Sequence, residues 1–275
     1  MPEGDSVYRE ATLLHEALAG RPLLSTDFRV PAFATADFAG HTVDRAQARG
    51  KHLLIHIGDA VVHSHLKMEG VWHLYPRGPG QSGPRWRRPA HTARSVLTTE
   101  HHQAVGYSLG ELHIFTEREA HDHLAHLGPD LLGEDWDPAE AEHRLRSQPH
   151  RAIGVALLDQ RSLAGIGNVY RSEICFLAGV HPETAVGEVP DLSRIIDLAK
   201  RLLEINKLRS RRSTIGTPTA AVQYWTYGRG GKLCMRCQSR ILRSHSGEES
   251  QRRAAQEDRV IYVCPRCQPT PDTAS

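Results

Sequence analysis

The chain has 275 residues, enough for one large domain or two to three small ones, and its 39% hydrophobic and 24% charged residues are those of a globular protein rather than a disordered one. No run approaches the roughly 18 apolar residues of a membrane span, and no basic segment followed by an apolar one opens the chain as a secretory signal, so a cytoplasmic protein is expected. The net charge of +2 hides an asymmetry: residues 200–275 hold fifteen Lys or Arg against six Asp or Glu, while the remainder carries −7, and a basic C-terminal quarter is the footprint of a polyanion partner or of a solvated face.

In the opening MPEGDSVYRE, Val7, Ala11, Leu14 and Leu18 recur at helical spacing and Gly20 closes the run, which predicts an amphipathic helix over 5–19. If Met1 is trimmed, Pro2 exposes a secondary amine at or just ahead of that helix, one residue from the Glu3 carboxyl. The positive end of the helix dipole disfavours protonating such an amine.

From about 23 to 116 the pattern turns to short strands (TVDRAQA, HLLIHI, AVVHSHL, VWHLYP, SVLTTE, ELHIFTE), with a hairpin signal at Gly58–Asp59. An antiparallel β-sandwich is predicted, interrupted by a loop rich in Gly, Pro and Arg at 76–90. Helical signals return over 117–208, with Asp191 as an N-cap, and a polar, basic stretch follows at 209–221. The tight turn in LAGIGNVYRSE lies between two helices, so it is no dinucleotide fingerprint; amides near Gly167 and Asn168 would form a phosphate site at a helix N-terminus, or merely a packed helix junction.

Cys234 and Cys237 (CMRC) with Cys264 and Cys267 (CPRC) form two Cys-x2-Cys pairs, 26 residues apart. Each knuckle aims two sulfurs at one point, so one structural Zn2+ on a β-ribbon finger is predicted rather than two disulfides. Cys175 in EICFLAG is expected to be a buried core thiol. His121, His123 and His126 of HDHLAH are not expected to hold a metal, since only His123 and His126 share a helical face and no acidic partner is evident.

The order of the Pro-Glu start, GKHLL, HLKMEG, LGPDLL, DQRSLAGIGNVYRSE and the terminal CPRCQ resembles the Fpg/Nei family of DNA glycosylase/AP lyases, the formamidopyrimidine-DNA glycosylase and endonuclease VIII group, across residues 2–268. The resemblance implies an α+β fold: an N-terminal catalytic sandwich domain (1–120), a helical helix-two-turn-helix domain (121–222), a zinc finger (223–268) and a frayed tail (269–275). It implies that Pro2 attacks C1′ of a damaged deoxynucleoside to form an iminium, with Glu3 as proton donor, Lys51 serving β-elimination and Arg259 gripping phosphates and serving δ-elimination. A terminal amine with pKa near ~8 is about a tenth neutral at pH 7, against roughly 0.04% for a lysine, which favours an N-terminus as nucleophile.

The resemblance further implies DNA contacts by Asn168, with Tyr170 and Glu173 as companions, and a wedge at Met68 that fills the hole left by an extruded base. Lys67 and His126 stand where an endonuclease VIII-type relative has a glutamine and an arginine that bind DNA. The Arg–Phe pair of the oxidised-purine branch is absent from QAVGYSLGELHIF, where Tyr107 or Leu109 would have to substitute. This departure favours the endonuclease VIII side: oxidised pyrimidines and abasic sites in double-stranded and also single-stranded DNA, handled by a monomer. An oxidised-purine specialist and a catalytically silent damage-binding protein are the alternatives; the intact set Pro2, Glu3, Lys51 and Arg259 argues against the second.

Overall fold

The computed structural model describes residues 2–78, 83–216, 222–245 and 260–271, which fall into two units, Met1–His126 and Leu127–Ser275. The first unit opens with α1 (Gly4–Leu18), on which Val7, Ala11, Leu14 and Leu18 are all buried, as their helical spacing requires. Eight strands follow: β1 (Ser25–Phe28), β2 (Val43–Arg49), β3 (His52–Ile57), β4 (Ala60–His65), β5 (Val71–Pro76), β6 (Ala93–Thr98), β7 (His102–Tyr107) and β8 (Glu111–Thr116). They pair antiparallel into two four-stranded sheets, ordered β1-β6-β7-β5 and β2-β3-β4-β8. At the predicted hairpin, Ile57 stands opposite Ala60, and φ is positive at Gly58 (56°) but not at Asp59, as a two-residue type II′ turn demands.

Phe28, Leu97 and Ala104 of one sheet share a core with Val43, Leu53, Ile55 and Val62 of the other and with the apolar face of α1. This is the sandwich predicted from the strand pattern. A smaller cluster of Tyr75, Val96, Val105 and Tyr107, covered by Trp86, lies apart from that core.

The second sheet also carries an array of imidazoles. His52 pairs with His65 across β3 and β4, His63 pairs with His113 across β4 and β8, and the ring of His123 of α2 (Glu117–Leu124) meets His63 edge-on and His113 at a tilt. His52 Nδ1 and His63 Nε2 are 2.9 Å apart, so one ring donates and the other, which must be neutral, accepts. Burial first, and neighbouring imidazoles second, pull His52 down to about 2 and His63 to about 4.

Below the unfolded histidine pKa of about 6.5 the unfolded chain therefore takes up protons that the folded chain refuses, and stability is lost as pH falls. Each excluded proton contributes a slope of roughly 1.4 kcal/mol per pH unit. The urea midpoint should drop between pH 7 and pH 5, and His63→Phe should shrink that drop; a midpoint indifferent to pH would mean that the rings titrate while folded.

The second unit packs α3 (Pro138–Arg146), α4 (Ile153–Ala156), α5 (Asn168–Ala178) and α6 (Leu192–Asn206) around Leu145, Leu163, Tyr170, Ile174, Ile196 and Leu203. Asp191 caps α6 as predicted, accepting from Arg194 N at 2.9 Å. Helix α4 is only four residues long, and past it the Gln160 side chain ties the following turn, donating to Leu158 O and Ile166 O and accepting from Gly165 N. The ribbon of β9 (Leu242–His245) and β10 (Val260–Val263) is antiparallel, and Ile241 and two cysteines next to it share a core with Phe176 of α5. No helix among the described residues is long and apolar enough to cross a membrane.

Candidate active site and metal centre

Pro2 lines a cleft of about 430 Å³ together with Ser6 and Glu10 of α1, Met68 and Glu69 of the turn between β4 and β5, and Arg88. Glu3 is the N-cap of α1, in extended backbone, and its N–H donates to Ser6 Oγ at 2.9 Å while that hydroxyl donates back to Glu3 O. A capping carboxylate ordinarily stays in water, but Glu3 is fully buried. The N-terminus of α1 thus holds an enclosed acid next in sequence to a proline that opens on a cleft.

Met68, on the rim of the cleft, is 45% exposed, so its side chain is free to meet a ligand there. The turn that presents it depends on glycine: a Cβ on Gly70 would lie 2.4 Å from Leu66 O. Lys67, in the same turn, has its Nζ 2.6 Å from Glu111 Oε1; the pair is half exposed and worth at most about 1 kcal/mol, so it is easily exchanged. Lys51 sits half-buried in the turn from β2 to β3, after Gly50 at φ 58°, and is not one of the residues lining the Pro2 cleft.

Two expectations fail here. Tyr107 is fully buried with its hydroxyl 2.9 Å from that of Tyr75, and Leu109 belongs to the sandwich core, so neither can substitute for a missing wedge residue. His126 is exposed, with its Nδ1 bonded to His123 O at 2.9 Å.

In the second unit Asn168 is the first residue of α5, following Gly167, and its side-chain oxygen accepts from the buried Arg171 guanidinium. Arg171 also donates to Val260 O at 2.8 Å, which ties β10 to this helix. Tyr170 is fully enclosed in the helical core and Arg212 lies over its ring, so its position is one of packing rather than of DNA contact. Glu173 is likewise fully buried: its carboxylate accepts from three successive backbone amides, Trp225 N (2.7 Å), Thr226 N (2.8 Å) and Tyr227 N (2.9 Å), and from the hydroxyls of Thr214 and Thr226. It is an anchor for the chain entering the cysteine region, not a companion of Asn168 at a phosphate.

The ligand atoms of Cys234, Cys237, Cys264 and Cys267 all lie within 4.8 Å of one another, and among the described residues this is the group of side chains placed to hold a metal ion. Both knuckles close alike, Gln238 N donating to Cys234 O at 2.9 Å and Gln268 N to Cys264 O at 2.8 Å. Gln268 is fully buried; it accepts from Cys264 N and donates to Val180 O, which fastens the second knuckle to the segment after α5. Cys175 is a fully buried thiol, as expected, and burial pushes it up to about 12. Arg259 lies outside the described residues.

The sequence profile described as the formamidopyrimidine-DNA glycosylase N-terminal domain matches residues 1–165, and that of the formamidopyrimidine-DNA glycosylase H2TH domain matches residues 127–211. The chain belongs to the formamidopyrimidine-DNA glycosylase family. Within it the similarity lies on the endonuclease VIII branch. A protein named probable endonuclease 8 2 of Streptomyces coelicolor is 48% identical, over 98% of this chain and 95% of that one. The DNA-(apurinic or apyrimidinic site) lyase Nei2 of Mycolicibacterium smegmatis is 42% identical, over 98% and 99%. A solved complex of Lactococcus lactis Fpg with DNA containing an abasic site superposes with a TM-score of 0.78 at 23% identity, covering 98% of this chain and all of that one, which establishes the shared fold.

Several residues that build these sites carry no sequence signal of their role. Glu10 belongs to no motif, Gln160 and Gln268 lie within DQRSLAGIGNVYRSE and CPRCQ with no role the spacing assigns, and Glu173 is expected at a phosphate rather than in the interior. The missing signal was what encloses each side chain, since a lone Glu or Gln on a helix has the same local pattern whether it meets water or another segment's amides.

Proposed function

We propose that this chain is a bifunctional DNA glycosylase and abasic-site lyase of base excision repair, acting on oxidised pyrimidines and abasic sites through a Schiff base on Pro2. The observation that carries the reading is the Pro2 cleft: a terminal proline at the positive end of α1, the enclosed Glu3 carboxyl behind it and the exposed Met68 at its rim. With Met1 removed, the Pro2 nitrogen forms a bond to C1′, the base leaves, and Glu3 delivers a proton to the ring oxygen as the sugar opens. The resulting iminium draws electrons from C2′, so that loss of a proton there expels the 3′ phosphate. Lys51 takes part in that β-elimination, and Arg259 in the δ-elimination that follows.

Asn168, the first residue of α5, positions the DNA backbone at a phosphate from that helix N-terminus. Lys67 can trade Glu111 for a phosphate at little cost, and His126 is exposed and can donate as well. Met68 alone then serves as the wedge, in keeping with the pyrimidine side of the family. The organisation follows these roles: a catalytic sandwich over 1–120, a helical DNA-positioning part over 121–222 and a finger over 223–268, working as a monomer on damaged double-stranded and also single-stranded DNA.

The metal of the finger is Zn2+. Tetrahedral thiolate coordination at about 2.3 Å sets sulfurs roughly 3.8 Å apart, and the mutual limit of 4.8 Å with a Cys237–Cys264 separation of 3.3 Å fits that cage. Four clustered reduced thiols also suit a cytoplasmic location.

Borohydride trapping on oligonucleotides carrying dihydrouracil, thymine glycol, 5-hydroxycytosine, 8-oxoguanine or an abasic site tests the reading. Covalent adducts are expected on the abasic site and the oxidised pyrimidines. Adducts on none would refute the enzyme, and a preference for 8-oxoguanine opposite cytosine would refute the pyrimidine assignment.

A further inference from the structure

Glu10 has no part in the chemistry above, yet it lines the same cleft about two helical turns from Pro2. Helical side chains lean toward the N-terminus, so its carboxyl is carried back toward the nucleophile. One oxygen is pinned: Oε2 accepts from Trp72 N, on β5, at 3.0 Å. Oε1 makes no hydrogen bond among the described residues and is not sealed from solvent, which leaves it open to the cleft. At about 430 Å³ the cleft falls in the range of roughly 300–1,000 Å³ usual for ligand pockets, and one everted nucleoside fits it.

Building on the Pro2 reading, we propose that Glu10 is a specificity residue, whose Oε1 donates a hydrogen bond to a ring carbonyl of the everted base, as dihydrouracil and thymine glycol present it. A carboxyl can donate only if it holds a proton. Burial raises this one to about 7, against the opposing influence of Trp72 N–H, Arg9 and Arg88, so near neutral pH a large share is protonated. Since Oε2 is occupied as an acceptor, the proton belongs on Oε1. The charged and titratable groups around it are Arg9 on its own helix, Glu69 on the turn before β5, Arg88 ahead of β6, the Pro2 amine, and His73 of β5, which also feels Arg88.

The test is a ratio measured in one preparation: the single-turnover rate of dihydrouracil excision divided by the rate of strand cleavage at a preformed abasic site in the same duplex. An abasic site has no base to read, and general damage to the fold or to Pro2 lowers both rates and cancels. In Glu10→Gln the amide oxygen must face Trp72 N–H, which puts an N–H donor where the carboxyl proton stood, so the ratio should stay within about threefold. Glu10→Leu has no donor, and the ratio should fall about tenfold to a hundredfold.

Raising the pH from 6 to 8.5 should lower the ratio in the unmutated protein as the carboxyl ionises, and leave it flat in Glu10→Gln, a comparison that does not require the leucine variant to fold. A ratio indifferent to pH, or one that falls as far with Gln as with Leu, would overturn the proposal. Failure of the unmutated protein to form a borohydride adduct at the abasic site is a different result, and it would strike the Pro2 reading instead.

Discussion

A chain carrying a short fixed peptide ahead of Pro2 should lose covalent trapping at an abasic site altogether and cleave the strand at least about a thousandfold more slowly. In an amide the proline nitrogen has given its lone pair to the carbonyl and has none for C1′. The effect should be far larger than that of removing a binding contact, because the Schiff base is the route to both base loss and strand scission. Pro2→Ala with a processed terminus is the informative partner: it presents a primary amine at the same place on α1, so it should still trap, more slowly. Single-turnover cleavage of the blocked chain at the unblocked rate would show that another group is the nucleophile. Equal loss in the alanine variant would show that the site had been damaged instead.

What could be read from the sequence was what is written locally. The face of α1, the Gly58–Asp59 turn and the Asp191 cap each depend on residues within a few positions of one another, and each is found where predicted. Strand β7 was not recognised, because Ala104 faces the sandwich core while Val105 and Tyr107 are covered by the cluster around Trp86; a strand enclosed on both faces loses its polar–apolar alternation. Helix α5 misled for the same reason. Every residue from Asn168 to Phe176 is buried, with the helical core on one side and the cysteine region on the other, so Tyr170 and Glu173, expected beside Asn168 at DNA, are internal. Tyr170 packs, Arg171 holds β10, and Glu173 collects three backbone amides. The imidazole array is still less legible, since His52, His63, His113 and His123 meet only through the register of three strands and a helix laid over them.

Stripping the metal from the four cysteines should abolish tight binding to abasic-site DNA, with the dissociation constant rising at least about tenfold to a hundredfold, while the β-sandwich continues to unfold cooperatively. The ribbon is too small to stand alone: β9 and β10 contribute four residues each, and the four β9 side chains are exposed. What holds it is the pair of knuckles, and a structural Zn2+ site supplies about 10–16 kcal/mol of apparent binding free energy that is folding free energy. The ties from Glu173 and Gln268 fasten the knuckles to α5 and the segment after it but cannot themselves draw four thiolates together. Once those sulfurs lose their common ion, nothing draws the two knuckles together, and the basic side chains of this region lose the backbone that aims them at phosphates. Loss of those contacts should also flatten the dependence of affinity on salt, because fewer counterions are released on binding. Chelation followed by equilibrium binding at two salt concentrations measures both quantities, and a colorimetric assay of the released metal should return one ion per chain. Unchanged affinity in the metal-free protein would mean that the cysteine ribbon takes no part in holding DNA.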